Sequence, residues 1–136
     1  MSVLNSKQLI SEIIDSIEFN ESGLIPAIAQ QYDTKEVLMM AWMNAESITE
    51  TIKTGNVCYW SRSRKKLWCK GETSGHLQKL ISLRIDCDGD TILVLVNQKG
   101  AACHTGRRTC FFLAAEKSGI KIIHEVKVDP KSIYNK

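Results

Sequence analysis

Apolar residues recur at helical spacing near the start of the chain and at strand spacing through most of the remainder. Residues 6–17 place apolar side chains three and four positions apart, which predicts an amphipathic helix over about residues 4–18. Two apolar runs follow at residues 24–31 and 36–43. The short polar segment at residues 33–35 between them predicts a hairpin.

A second helix is predicted after Asn44, whose side chain can cap a helix that begins near Ala45. Gly55 is well suited to end that helix, because glycine adopts the left-handed conformation common after a last turn. Residues 57–60 and 67–70 have the composition of two strands on either side of a basic turn.

The last third of the chain predicts further strands. Residues 76–86 alternate, so the odd-numbered residues from 77 to 85 are expected on one side of a strand. Gly89 favours a tight turn into a β-branched strand at residues 91–96. A short helix over residues 109–117 and a strand over residues 120–128 complete the prediction. The sum is one β-rich α+β domain over residues 1–136, built mostly of antiparallel hairpins with a few short helices.

Composition narrows the class of protein. No apolar run approaches the roughly 20 residues that span a bilayer, and the first residues lack the pattern of a signal peptide. We therefore expect a cytoplasmic protein without a membrane partner. A net charge of +3 is too small to indicate nucleic acid, but it suits a phosphorylated, anionic small molecule. The five cysteines favour metal ligation, catalysis or inert burial over disulfides in a reducing cytosol.

Three aspartates stand two residues apart in the segment Asp86-Cys87-Asp88-Gly89-Asp90. In an extended backbone the carboxylates project from one face and Cys87 from the other. Like charges on one face repel, and a hard cation such as Mg²⁺, which takes oxygen ligands, relieves that repulsion. We therefore predict Mg²⁺ ligation by Asp86, Asp88 and Asp90, with a solvated acidic hairpin turn as the alternative.

Three of the cysteines form a candidate zinc site. Cys87, Cys103 and Cys110 would supply three thiolates, a soft set that selects Zn²⁺ or a similar metal. Buried, inert cysteines are the alternative, although the polar, basic loop around Cys103 is a poor setting for one. With three protein ligands, zinc keeps a position for a water, whose pKa falls to about 7. His104 is a candidate for a fourth ligand or for a general acid/base beside the metal.

The acidic turn cannot easily supply both metal sites from the same side of one small domain. We therefore expect a homodimer in which Cys87 of one chain meets Cys103 and Cys110 of the other. Cys58 and Cys69 are expected to be buried filler.

A basic and aromatic segment over residues 59–75 suits a ligand that carries phosphates, because arginines, hydroxyls and glycines bind phosphate oxygens. Its candidate substrate contacts are Arg62, Arg64, Trp68, Lys70, Thr73 and Ser74. Trp68 can stack on a base or pack in the core. Aromatic residues among cations also suit single-stranded RNA, so a zinc-stabilised RNA-binding module is the alternative function.

Several motifs in the same order are similar to one family. The sequence closely resembles the phosphoribosyl-AMP cyclohydrolases of histidine biosynthesis over roughly residues 23–112. The catalytic core is expected over about residues 23–128. The resemblance is carried by residues 23–30, 37–44, 61–64, Trp68 with 70–75, 86–90, and 102–106 with Cys110. Tyr32, Cys69 and His76 depart from the family pattern.

The resemblance implies hydrolysis of the N1–C6 bond of the adenine ring in phosphoribosyl-AMP, the third step of that pathway. It implies an intertwined homodimer with a zinc ion on Cys87, Cys103 and Cys110 and a Mg²⁺ on Asp86, Asp88 and Asp90. The partner is then a small phosphoribosyl nucleotide and not a nucleic acid. A deaminase of free nucleotides is a third possibility, since such enzymes attack the same carbon of adenine.

Overall fold

The computed structural model describes residues 6–129, which form a β-rich α+β fold with two short helices. The helices are α1 (Ser6–Asp15) and α2 (Ala45–Thr54). The strands are β1 (Ile25–Gln31), β2 (Val37–Met43), β3 (Cys58–Ser61), β4 (Lys66–Cys69), β5 (Gln78–Ile85), β6 (Ile92–Gln98), β7 (Leu113–Glu116) and β8 (Gly119–Ile122). The predicted fold class is therefore confirmed. Residues 4 and 5 of the predicted first helix lie outside the described residues.

A four-stranded sheet in the order β2-β1-β6-β5 forms the centre of the fold. Two antiparallel hairpins, β1–β2 and β5–β6, make its halves, as their short connections predicted. The halves join through parallel pairing of β1 with β6. Parallel neighbours cannot be joined by a tight turn, so the chain between them forms α2 and the smaller β3–β4 hairpin. The β3–β4 hairpin in this connecting segment forms one wall of the cavity described below.

The core lies on one face of this sheet. Ala27 and Ala29 of β1 stand opposite Ile92 and Val94 of β6 in the parallel register, and all four are fully buried. The small alanines leave room for the side chains that cover the face from the helices and the β3–β4 hairpin. Core residues that cover this face from outside the sheet include Ile13, Ile17, Ile48, Val57 and Tyr59. Each helix is ten residues long, and neither is long and apolar enough to cross a membrane.

Helix α2 begins and ends as the sequence predicted. The Asn44 side chain accepts a hydrogen bond from the Ser47 amide at 2.8 Å, and the Ser47 hydroxyl accepts one from the Asn44 amide at 2.8 Å. This reciprocal pair satisfies two amides that a helix start otherwise leaves without partners. Gly55 ends the helix at φ 77° and donates its amide to the Thr51 carbonyl. The cap therefore sets the point at which the chain leaves β2.

The predicted alternation along β5 is wrong at its centre. The pairing of β5 with β6 shifts between Leu80 and Ser82, which leaves Ile81 as an extra residue that is 48% exposed. One inserted residue moves all later side chains to the opposite face. Leu80, Leu83 and Ile85 consequently pack against the core, so the odd-numbered residues do not share a side.

The predicted helix over residues 109–117 is also wrong. This segment instead leads into β7, which pairs antiparallel with β8, and the predicted last strand ends at Ile122. The pairing of residues 113–116 with residues 119–122 holds this segment extended, and the amide of Cys110 donates to the Leu38 carbonyl at 2.7 Å. Pairing with another part of the chain thus overrides the helix propensity of the alanine-rich segment.

Replacing Asn44 with alanine should lower the free energy of unfolding by about 1 kcal/mol, because the Ser47 amide loses its acceptor. Chemical denaturation followed by far-ultraviolet circular dichroism measures this change. Lys53→Ala, at an exposed position of the same helix, serves as the control and should change stability by much less. Equal effects of the two substitutions would show that the cap contributes nothing.

Candidate functional site

A cavity of about 420 Å³ opens between β2, the β3–β4 hairpin with its following loop, and the loop that carries Cys103. This volume suits a small organic ligand. Its walls include many of the residues that the sequence singled out. Of the predicted residues, the lining contains Arg64, Trp68, Lys70, Thr73, Ser74, His104 and Cys110.

The loop of Cys103 is held in shape by its own backbone. The Cys103 amide donates to the Arg107 carbonyl at 3.1 Å, and the Gly106 amide donates back to the Cys103 carbonyl at 3.0 Å. Gly106 has φ 85°, and a Cβ there would collide with the Val128 carbonyl. The loop therefore requires glycine at this turn. It buries Cys103, whereas the neighbouring His104 is exposed and reaches the cavity.

Cys110 is positioned by a separate anchor on β2. Its amide donates to the Leu38 carbonyl, and the buried hydroxyl of Thr109 donates to the Val37 carbonyl at 2.7 Å. Thr109 also accepts the Phe111 amide at 3.0 Å. These bonds place the Cys110 thiol near that of Cys103, so that the two thiols interact electrostatically. Thr109 was not predicted as a site residue, although a hydroxyl next to a candidate ligand was a usable signal.

The thiol pair is electrostatically coupled to one lysine. Desolvation raises the pKa of Cys110 to about 11, helped by Cys103, while the charge of Lys70 acts in the opposite direction. Burial lowers the pKa of Lys70, and the two thiols oppose that change. The Thr105 hydroxyl donates to Cys103 Sγ at 3.0 Å. Burial thus favours the neutral form of the Cys110 thiol, and the ammonium of Lys70 is the neighbouring charge that opposes this shift.

Trp68 both packs in the core and lines the cavity. Its ring lies 5.1 Å from that of Tyr59, centroid to centroid, at an interplanar angle of 34°. The Tyr59 hydroxyl donates to Gln78 Oε1 at 2.7 Å, and burial raises the pKa of Tyr59. Gln78 in turn donates to Met39 Sδ at 3.2 Å. The aromatic wall of the cavity therefore rests on a buried and hydrogen-bonded support.

The predicted phosphate contacts divide into two groups. Arg64, Thr73 and Ser74 line the cavity together with Ser61, Ser63 and Glu72, three residues that were not selected from the sequence. Arg62 is not among the lining residues, and its guanidinium lies 4.9 Å from the ring centroid of Trp42. His76, which departs from the family pattern, places its Nδ1 3.1 Å from both the amide nitrogen and the carbonyl oxygen of Ala101. It therefore supports the cysteine loop.

The acidic segment forms a turn and not the extended face on which its prediction rested. Asp86 Oδ1 accepts the Asp90 amide at 3.0 Å, and Gly89 has φ 74°. A Cβ at Gly89 would lie 2.8 Å from the Ser16 carbonyl, so this turn also requires glycine. Ligand atoms of Asp86, Cys87 and Asp88 lie within 4.8 Å of one another. The expectation that Cys87 projects away from the carboxylates is therefore wrong.

The pKa values of the two outer carboxyl groups, Asp86 and Asp90, shift in opposite directions. Desolvation acts to raise the pKa of Asp86, but the amides of Asp90 and Thr91 lower it overall. The hydrogen bond and charge of Asp86 raise the pKa of Asp90. Within residues 6–129, the group of Asp86, Cys87 and Asp88 does not include Cys103 or Cys110.

Cys58 and Cys69 form a disulfide, so the expectation of inert filler is wrong for both. They stand directly opposite each other in the β3–β4 register, with Cys58 buried and Cys69 on the cavity wall. The prediction relied on the redox state of the cytosol. Whether two sulfurs meet depends on the hairpin register, and the prediction did not take that register into account.

Comparison with known proteins identifies the family. The family model described as phosphoribosyl-AMP cyclohydrolase matches residues 39–112, more than half of the chain. A protein of that name from Paramagnetospirillum magneticum is 58% identical over 136 residues, the whole of both chains. The chain belongs to the phosphoribosyl-AMP cyclohydrolase family. The resemblance predicted from the sequence is confirmed.

Further relatives give the same result. A phosphoribosyl-AMP cyclohydrolase from Granulibacter bethesdensis is 60% identical over 92% of this chain and 98% of its own length. Another from Acidiphilium cryptum is 65% identical over 82% of this chain and 96% of its own. Membership of the phosphoribosyl-AMP cyclohydrolase family makes the chain a hydrolase and favours an enzyme over the RNA-binding module. The metal ligands and substrate contacts stay predictions.

The disulfide closes a loop between residues 11 apart in sequence and should stabilise the fold by about 2–3 kcal/mol through its effect on the unfolded chain. Under oxidising conditions, Cys69→Ser should therefore unfold at lower urea concentration than the unmodified protein. The difference should shrink when a monothiol reductant is present. Five titratable thiols in the oxidised, denatured protein would contradict the disulfide.

Proposed function

We propose that this chain hydrolyses the N1–C6 bond of the adenine ring in phosphoribosyl-AMP as the third step of histidine biosynthesis. The observation that carries the proposal is the meeting of three groups at one cavity. The Cys103–Cys110 thiol pair and the His104 imidazole lie beside a wall of hydroxyl and cationic side chains. Family membership supports the substrate, because the relatives are named for this activity.

The donor set at the cavity fits a zinc ion. The two neighbouring thiols are soft ligands, and the Thr105 hydroxyl and the Lys70 ammonium would offset the negative charge of the thiolates. Cys103 and Cys110 would hold the metal together with one further thiolate. When bound, zinc supplies Lewis acidity and lowers the pKa of a coordinated water.

His104 is the residue proposed to move the proton. It is exposed, lines the same cavity as Cys110, and follows Cys103 directly in the chain. An imidazole can both accept and return a proton near neutral pH. We assign it the proton of the attacking water, which it then delivers to N1 as the ring opens.

The walls would orient the substrate around that centre. The Trp68 ring offers a face for the purine, since its other contacts already fix it against Tyr59. Arg64, Thr73 and Ser74 would hold phosphate oxygens through charge-assisted hydrogen bonds. Such contacts at the ends of a substrate fix the position of the reacting ring between them.

The acidic turn would hold a Mg²⁺ through Asp86, Asp88 and Asp90. Oxygen atoms suit this cation, and the carboxyl of Asp86 raises the pKa of Asp90, as expected for carboxyls that lie near each other. Two backbone amides already bond to Asp86 Oδ1, which limits that oxygen as a ligand. In this proposal the cation contributes charge for phosphate binding.

A homodimer would complete the zinc site. Cys87 is exposed and does not group with the thiol pair of its own protomer. Ile28 and Leu93 line a second, almost wholly apolar cavity beside Asp86 on the face of the sheet opposite the core residues. Exposed apolar residues elsewhere include Phe111, Leu113, Ile120 and Ile122. Association of two copies would cover apolar surface and bring a third thiolate to the pair.

Cys103→Ser should lose bound zinc and turnover together, each by more than about 100-fold, since even indirect partners of a metal site are worth 10–100-fold. Zinc is measured by elemental mass spectrometry, and turnover by the absorbance change on adding phosphoribosyl-AMP. Lys53→Ala is the control and should retain both. Turnover without zinc would contradict the metal role, and ammonia release without ring opening would favour a deaminase.

The shared zinc site predicts complementation between inactive subunits. Mixed dimers of Cys87→Ser and Cys103→Ser contain one intact site, so random assortment should restore about a quarter of the original activity. Cys103→Ser mixed with Cys110→Ser is the matched control and should restore none, because both ligands belong to the same pair. Mixed dimers of the first kind that stay inactive would show that the site lies within one protomer.

A further inference from the structure

Lys70 links the β3–β4 hairpin to the loop that carries Cys103. Its amide donates to the Val57 carbonyl at 3.0 Å, which holds its backbone against the start of the hairpin. Its side chain extends to the other wall, where Nζ donates to the Ala102 carbonyl at 2.6 Å. Ala102 directly precedes Cys103 and is buried. The ammonium therefore forms a direct bridge between the two walls of the cavity.

The surroundings of this ammonium already supply its partners. Nζ lies 5.7 Å from the ring centroid of Trp68, so an aromatic face lies within the range of a cation–π contact. The thiols of Cys103 and Cys110 interact with its charge. A lysine placed among a carbonyl, a ring and two thiols is less available to a phosphate than the exposed Arg64.

We propose that Lys70 is a positioning residue for the metal site and not a phosphate contact. It holds Cys103 in place through the Ala102 carbonyl, and its positive charge offsets that of the Cys103 and Cys110 thiolates. Like the zinc ligands themselves, this role rests on the proposed function. It replaces the phosphate contact that the sequence suggested for Lys70.

The geometry explains why a lysine suits this place. An ammonium has three donors on one compact centre, so it can bond a carbonyl and keep other donors for the nearby thiolates. Methionine has a similar length but neither donor nor charge. Arginine keeps the charge on a larger, planar group.

The test is the zinc affinity of the purified protein, measured by competition with a chromophoric chelator. Lys70→Met should weaken zinc binding by about 10–100-fold, as for other indirect partners of metal sites. Lys70→Arg should recover part of the loss, because it restores a cationic donor. Lys66→Met, an exposed lysine of the same hairpin, is the matched control and should bind zinc as the unmodified protein does.

Two other results would overturn the inference, and they are distinguishable. If Lys70→Met binds zinc normally but raises KM for phosphoribosyl-AMP, Lys70 contacts the substrate and only this inference fails. If the unmodified protein has no measurable zinc affinity, the proposed function fails and the inference fails with it. Circular dichroism checks folding, and Lys70→Arg provides the zinc measurement should Lys70→Met not fold.

Discussion

Hydrogen bonds between the start of β2 and residues 109 and 110 decide where the functional groups lie. Val37 and Leu38 offer carbonyls at the edge of the sheet, and the Thr109 hydroxyl and the Cys110 amide bond to them. These bonds attach the chain that follows β6 to β2, which is an edge strand of the sheet and is separated from β6 by β1. Without this attachment, the Cys103 loop would have no fixed relation to the wall formed by the β3–β4 hairpin.

The cavity combines a rigid apolar support with a polar, charged surface. Beneath it, Tyr59, Gln78 and Met39 form a buried chain of contacts, so the aromatic wall has little freedom to move. At the surface, Lys70 and the Cys110 thiol are close enough for the charge of each to act on the pKa of the other. Groups held this way are preorganised for an anionic ligand and a soft cation, which is the combination that the proposed reaction requires.

Elements that depend on neighbouring residues were predictable from the sequence. The first helix, the β1–β2 hairpin and the capped helix α2 follow from apolar spacing, a short turn and an asparagine cap. The helix prediction is wrong at Leu113 to Glu116, because helix propensity contributes less free energy than pairing with another part of the chain. The predicted alternation along β5 is wrong at Ile81 for a related reason, since only the pairing with β6 shows where the extra residue lies.

The sequence by itself determined the family, the fold class and part of the cavity lining, because these depend on residue types in a fixed order. Only the tertiary structure decided which sulfurs meet. Cys58 and Cys69 face each other through a hairpin register, and Cys110 reaches Cys103 through bonds to a distant strand edge. Cys87 lies apart from that pair, beside two carboxylates. Distances between side chains remote in sequence are set by hydrogen-bonded pairing of whole segments, and local patterns do not contain that information.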